Sequence, residues 1–225
     1  MLRTTRDLVA KRLAGVPGLR VPKSLRLHNP KPGAASAAAQ RACCAFPLIV
    51  RLAGTHTGQI LGLVNDRHGL EQACKGRGDF ILTEFVDFRS ADGLYRKYRI
   101  WGFGSRSIFR HLAITDEWNV HITDANRFMF DRPALIEEEV RLMETPEGAC
   151  PDAVHATFGA IRDRLALDFF GLDFGFDADG QMVLFEANAT MNFFPLVVDP
   201  RFAFRQKLHA PAEEAFLAML GQTPA

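Results

Sequence analysis

The sequence predicts a mixed α+β fold, and three features predict it. Short apolar runs recur in closely spaced pairs, as the arms of hairpins do. Amphipathic stretches of helical period lie between them, and the hairpins are too numerous for a simple dinucleotide-binding fold. At 225 residues the chain can form one large domain or two small lobes around a substantial core. It contains no internal repeat.

Residues 5–14 begin after Thr4 or Thr5 as a cap and put Leu8, Val9 and Leu13 on one helical stripe, which Gly15, Pro17 and Gly18 end. Residues 19–22 read as a short extended segment, and Pro30 and Pro32 mark a turn. The alanine-rich run 34–45 is either a helix on propensity or a flexible linker. Phe46–Leu52 and Ile60–Val64 are strands joined by the Gly/Thr loop 53–58. A short helix over 68–76 and a strand over 80–86 follow, and the polar stretch 87–93 is a candidate hinge.

Residues 94–102 and 107–115 form the next strand pair, with Asn119 and His121 continuing at strand spacing. Helices are predicted over 133–143, over 153–170 with Gly171 as the stop, and over about 212–220.

Hydrophobic residues make up 48% of the chain and charged ones 24%, as in ordinary globular proteins. The 19 phenylalanines are the outlier and are expected to pack the core. A net charge of +1 argues against wrapping nucleic acid or binding an anionic membrane surface. The cluster Arg96, Lys97, Arg99, Arg106, Arg110 and His111 instead suggests a discrete anion site. Cys43, Cys44, Cys74 and Cys150 have neither metal-ligand nor redox spacing, which fits free thiols in a reducing, cytoplasmic setting.

Residues 171–194 carry the most chemistry. With Asp179-Gly180 as a two-residue turn, Phe174 faces Phe185, Phe176 faces Val183, and Asp173 faces Glu186. Asn188 then lies on the face of Glu186. Opposed carboxylates about 5 Å apart repel one another. With an amide oxygen beside them they form an all-oxygen set suited to magnesium or manganese, which completes its shell with water and substrate phosphates. The alternative is a solvated sheet face. Asp177, facing Met182 in the same register, reads as turn or surface chemistry.

A strand bearing Asp173 followed by LFEAN (184–188) resembles the magnesium-binding end of the ATP-grasp superfamily. Residues 4–27 look like the first helix and strand of its small lobe. FPLIVRLAGTHTGQILGLV (46–64) looks like the strand–loop–strand over the nucleotide phosphates, and ILTEFVD (81–87) like the segment that holds adenine. The resemblance implies a two-lobed ATP-grasp fold, with residues 1–88 as the small lobe, residues 89–225 as the large antiparallel-sheet lobe, and ATP held between them. Asp173, Glu186 and Asn188 would hold Mg2+ (or Mn2+). Glu84, Phe85 and Val86 would edge the adenine and ribose, core packing being the alternative for Phe85 and Val86.

Arg51 stands where a lysine is common and can bind phosphate bidentately. Thr55, His56, Thr57 and Gly58 would line the phosphate loop together with Gly54. Lys97, Arg99 and Arg110 would face the γ-phosphate and the substrate carboxylate, with Arg99 and Arg110 as the catalytic cations. An exposed strand face (Lys97, Arg99) or an internal salt bridge (Arg110) are the alternatives.

The implied activity resembles that of carboxylate–amine ligases of the glutathione synthetase-like or ribosomal-protein-modifying type. These form an amide or peptide bond through an acyl-phosphate on a small-molecule or peptide substrate. Thr190 and Asn192 are candidate substrate contacts, a cap of the following turn being the alternative for Asn192. The alternative is a regulatory or scaffold domain that binds ATP with weak or no turnover. A partner domain supplying substrate contacts, or a homo-oligomer, is compatible with either.

Overall fold

The computed structural model describes residues 5–54, 59–145, 153–192 and 199–221. They form two compact units: residues 5–12 and 21–86 make one, and residues 13–20 and 87–221 the other.

The smaller unit is a four-stranded antiparallel sheet with helices on one face. Its strands are β2 (Ser24–His28), β3 (Leu48–Leu52), β4 (Ile60–Val64) and β5 (Asp79–Glu84), in the order β2-β5-β3-β4. Helices α2 (Ala34–Arg41) and α3 (Arg67–Ala73) pack there because Ala35 and Ala39, one turn apart, bring α2 close to Leu48, Val50, Leu70 and Leu82. The carboxylate of Glu71 accepts the amides of Gly33 and Ser36 at 2.8 Å, satisfying donors that the first turn of α2 leaves open.

Helix α2 ends four residues earlier than the alanine run suggests. Cys43 adopts φ +51° while the amides of Cys43 and Cys44 bond back to Gln40 and Ala39, a Schellman-type stop with cysteine in the usual glycine place. Helix α1 (Arg6–Leu13) precedes this sheet in the chain. Cys43, Cys44 and Cys74 are free thiols, and Cys150 lies outside the described residues.

The larger unit is built on a five-stranded sheet, order β1-β9-β8-β6-β7, from β1 (Leu19–Arg20), β6 (Tyr95–Phe103), β7 (Arg106–Thr115), β8 (Phe169–Phe176) and β9 (Met182–Asn188). Only β1 joins in parallel, on β9. One sheet face is aromatic: Tyr98 stacks on Phe174 at 5.2 Å, and Phe170 stacks on Phe158 of α6 (Ala153–Leu165) at 5.2 Å. Gly102 lies beneath that second stack, where a β-carbon would sit 2.8 Å from the Phe170 ring.

Helices α4 (Ile122–Met129) and α5 (Pro133–Glu144) pack along the edge strand β7. A 3-10 segment, Pro200–Leu208, leads into α7 (His209–Met219), whose Ala212 and Ala215 pack on Trp101, Phe103 and Met191. Eight phenylalanines are buried core residues, Phe80, Phe88, Phe103, Phe109, Phe158, Phe170, Phe174 and Phe202, while others among the described residues, such as Phe46, Phe128 and Phe185, are only half-buried.

Three expectations are corrected. Helix α6 stops at Leu165, where Ala166 takes φ +50°, and Gly171 lies inside β8. Asn119 and His121 are not strand residues, because His121 instead caps α4 by accepting the Thr123 amide at 3.4 Å.

The third correction concerns the β8–β9 hairpin, which has a three-residue loop, Ala178–Gly180. The Asp177 amide bonds to the Gln181 carbonyl, Gly180 has φ +73°, and the Asp177 carboxylate accepts the amides of Asp179 and Gln181. Phe174 therefore faces Leu184, Gly175 faces Val183 and Phe176 faces Met182, so the Phe174–Phe185 and Phe176–Val183 pairs do not form.

A bulge at Phe185 then adds one residue to β9, and Asp173 faces Glu186 after all. Two opposite offsets cancel at the position that matters. Asp177 is buried in the turn and pairs with Arg20 at 3.1 Å.

Candidate functional site

Strand alternation places Lys97, Arg99 and Trp101 of β6 on one sheet face, opposite the Tyr98 stack. The ladder pairs His111 with Arg99, Arg99 with Asp173, and Asp173 with Glu186, so these four residues form a row across β7, β6, β8 and β9. The next row holds Trp101, Gly171 and Asn188.

Bulges flank the first row. Arg110 is the extra residue of β7 and Phe185 that of β9. A bulge makes two residues oppose one and re-aims their side chains, which brings additional groups onto a crowded face.

The Arg99 guanidinium grips Asp173 in a two-point fork, Nε to Oδ1 at 2.6 Å and Nη2 to Oδ2 at 2.7 Å. Burial opposes the charge on Arg99, but Asp173 and then Glu186 outweigh it and raise its pKa. Lys97 approaches Asp173 Oδ2 at 3.8 Å while donating to the Val120 carbonyl. Asn188 Oδ1 accepts from the Thr190 amide at 2.8 Å and its hydroxyl at 2.9 Å, which orients the amide at the end of β9.

Arg110 lies over the buried Trp101 ring at 4.8 Å and has no ion-pair partner among the described residues. Burial, with Arg99 and Arg205 nearby, lowers its pKa to about 10. It is a desolvated cation facing other cations, which favours an incoming anion. His111 is buried, its Nε2 lacks a hydrogen-bond partner among the described residues, and burial together with the same cations holds its ring neutral.

The face thus has a cationic half, Lys97, Arg99 and Arg110, beside an oxygen-bearing half, Asp173, Glu186 and Asn188. That second half suits a hard divalent cation in donor type, with a qualification from the geometry. The Asp173 carboxylate is already held by the two-point Arg99 fork, so it is not a bare metal ligand. No three His, Cys, Asp or Glu side chains among the described residues make a metal cage unaided. A magnesium ion placed here would need oxygens beyond these side chains to complete its shell.

In the smaller unit, Arg51 lies on β3 opposite Ile60 and Ile81. Thr55, His56, Thr57 and Gly58 lie outside the described residues. Glu84 accepts the amides of Ala45 at 2.8 Å and Lys23 at 3.2 Å, so its carboxylate is engaged within the unit. The Phe85 amide donates to the Pro47 carbonyl at 2.9 Å, and Val86 is buried.

Several contributors are marked in the sequence only by the glycines they cover. Phe185 packs on Phe88 at 4.5 Å over Gly175, where a β-carbon would sit 2.9 Å from both rings. Met191 covers Gly171 so closely that a β-carbon there would come within 2.1 Å of its sulfur. The glycines in a strand otherwise rich in phenylalanine were the available signal of close approach.

No protein-family model matches the sequence, and no curated protein matches it. Solved structures do match in three dimensions. The ATP-grasp ligase PsnB with a minimal precursor superposes with a TM-score of 0.55 at 17% identity, covering 96% of this chain and 62% of that one. D-alanine–D-alanine ligase from Bacillus anthracis gives 0.55 at 15% identity, covering 97% and 67%. The ADP complex of N5-carboxyaminoimidazole ribonucleotide synthetase gives 0.53 at 15% identity, covering 85% and 46%. The chain spans about half to two thirds of the length of these proteins. Its mixed helix-and-sheet architecture, with largely antiparallel sheets, is the ATP-grasp fold.

Proposed function

We propose that the protein uses magnesium and ATP to activate a carboxylate as an acyl-phosphate, which an amine then attacks to form an amide or peptide-type bond. The observation that carries this reading is the row Arg99–Asp173–Glu186 with Arg110 beside it, cationic and oxygen-donor groups side by side on one face.

Lys97, Arg99 and Arg110 stabilise charge on the transferring phosphoryl group and on the substrate carboxylate, where prepositioned donors act most strongly. Asp173 holds Arg99 in place for that task. Glu186 and Asn188, with Asp173, would hold magnesium, which would supply Lewis-acid polarisation of phosphate oxygens. In the smaller unit, Arg51 with Thr55, His56, Thr57 and Gly58 meets the nucleotide phosphates. Glu84 braces the run that meets adenine, Phe85 and Val86. Since the Phe85 amide is already donated to Pro47, the Phe85 carbonyl and Val86 amide are the groups assigned to the base. The substrate is a small molecule or a peptide, and PsnB, which shares the fold, was solved with a precursor peptide bound.

A second reading is favoured by the Arg99–Asp173 fork, which engages one of the proposed metal carboxylates: an ATP-binding regulatory or scaffold domain with little turnover of its own. Phosphate release from ATP, measured across pooled carboxylates and amines, separates the two. Release that requires both a carboxylate and an amine is expected. Nucleotide binding without such release supports the second reading, and the absence of both contradicts each.

No helix among the described residues is long and apolar enough to cross a membrane.

A further inference from the structure

Against the edge strand β7 lies a buried ion pair. Glu139 of α5 is wholly buried, and Arg205 of the 3-10 segment is 9% exposed. Arg205 donates from Nε and Nη2 to the two Glu139 oxygens at 2.8 and 2.7 Å, and from Nη1 to Asn126 Oδ1 of α4 at 3.0 Å. The same Glu139 carboxylate accepts the Leu112 amide of β7 at 3.1 Å.

Desolvating such a pair is costly, and apolar residues of similar volume are often at least as stable. Stability alone is therefore a weak reason for it. Its attachment point is specific: β7 is an edge strand, and the amide that Glu139 takes lies two residues from Arg110, on the far side of His111. Arg110 is the extra residue of the bulge, and the ladder, locally disrupted there, fixes it poorly.

We propose that the Glu139–Arg205 pair is a positioning device that fixes the β7 bulge and so seats Arg110 over Trp101 in the orientation that receives an anion. Glu139 pins the strand just beyond the bulge, and Arg205 holds the Glu139 carboxylate in place through two hydrogen bonds. Asn126 fixes the rotation of the guanidinium. The pair touches no substrate, acts only through Arg110, and rests on the anion-binding role assigned to Arg110 above.

The chain has two tryptophans, so Trp118→Phe leaves Trp101 as the sole indole. In that background, Glu139→Gln and Arg205→Met are expected to shift Trp101 emission in the direction that Arg110→Met does, without any ligand. Both are also expected to weaken binding of magnesium adenylyl imidodiphosphate about tenfold, a loss that Glu139→Gln no longer adds in an Arg110→Met background. The double variant Glu139→Leu/Arg205→Met is expected to regain thermal stability but not the Trp101 signal.

Unchanged Trp101 emission in folded variants overturns the proposal, as does an equal affinity loss with and without Arg110. Recovery of both stability and signal by the apolar pair also overturns it. Should the wild-type protein fail to bind the analogue, the proposed function falls, while the ligand-free fluorescence still decides the role of the pair.

Discussion

Asp173 faces Arg99 on one side and Glu186 on the other, and its place in the sheet explains how two facing carboxylates coexist. Arg99 takes up the charge of Asp173 through two short hydrogen bonds and also feels the charge of Glu186, so one cation offsets the repulsion between them. Asp173→Asn strips Arg99 of its counterion. We expect a loss of about 2 kcal/mol in urea unfolding, less than for a fully buried pair because Arg99 retains partial exposure.

His111 makes a prediction about pH. Burial first, then Arg99, Arg205, Arg110 and Lys97, depress its folded pKa well below 6.5. The unfolded chain therefore binds a proton that the folded one refuses. The contribution is fully present above about pH 6.5 and is lost as pH falls from there toward the folded value, at up to about 1.4 kcal/mol per pH unit. Unfolding free energies at pH 7 and pH 5.5 are expected to differ less in His111→Leu than in the wild-type protein, and equal differences would refute this.

At the scale of elements, the β8–β9 hairpin is held by close glycine contacts. A methyl at Gly171 meets the Met191 sulfur, and Gly171 pairs with Asn188. Gly171→Ala is expected to cost about 1–3 kcal/mol in thermal unfolding through overpacking. By moving the end of β9, it is also expected to weaken magnesium-dependent nucleotide binding; undisturbed binding in that variant would mean that Asn188 tolerates the shift.

The same hairpin shows what the sequence made legible. Strand β4 was read to the residue, and β3, β5, β6 and β7 to within two residues at either end, because apolar runs and Gly/Asp turns mark them. The Asp173–Glu186 pair was anticipated although the turn was misread, because the Phe185 bulge compensates for the longer loop. Bulges leave no periodic trace, since one unpaired residue looks like any other in a strand. Helix α4 is not marked in the sequence because its eight residues are too short a stretch to stand out after a strand-like lead-in at Asn119 and His121. The Glu139–Arg205 pair was illegible for another reason: its partners are 66 residues apart and only tertiary packing joins them.

At the scale of the whole molecule, each unit has its own sheet and its own hydrophobic core. A ligand that binds the folded chain alone stabilises it by mass action, about 2.7 kcal/mol at a hundredfold excess over Kd. The rise in Tm is expected to be larger with ATP and magnesium together than with ATP alone, and magnesium alone should give little.

Calorimetric titration of a non-hydrolysable ATP analogue, with and without magnesium, into wild-type protein and Glu186→Gln, tests the site most directly. Magnesium should tighten binding to the wild-type protein, and most of that gain, about tenfold or more, should vanish in Glu186→Gln. The same affinity in all four titrations would contradict a metal–nucleotide site on Asp173, Glu186 and Asn188.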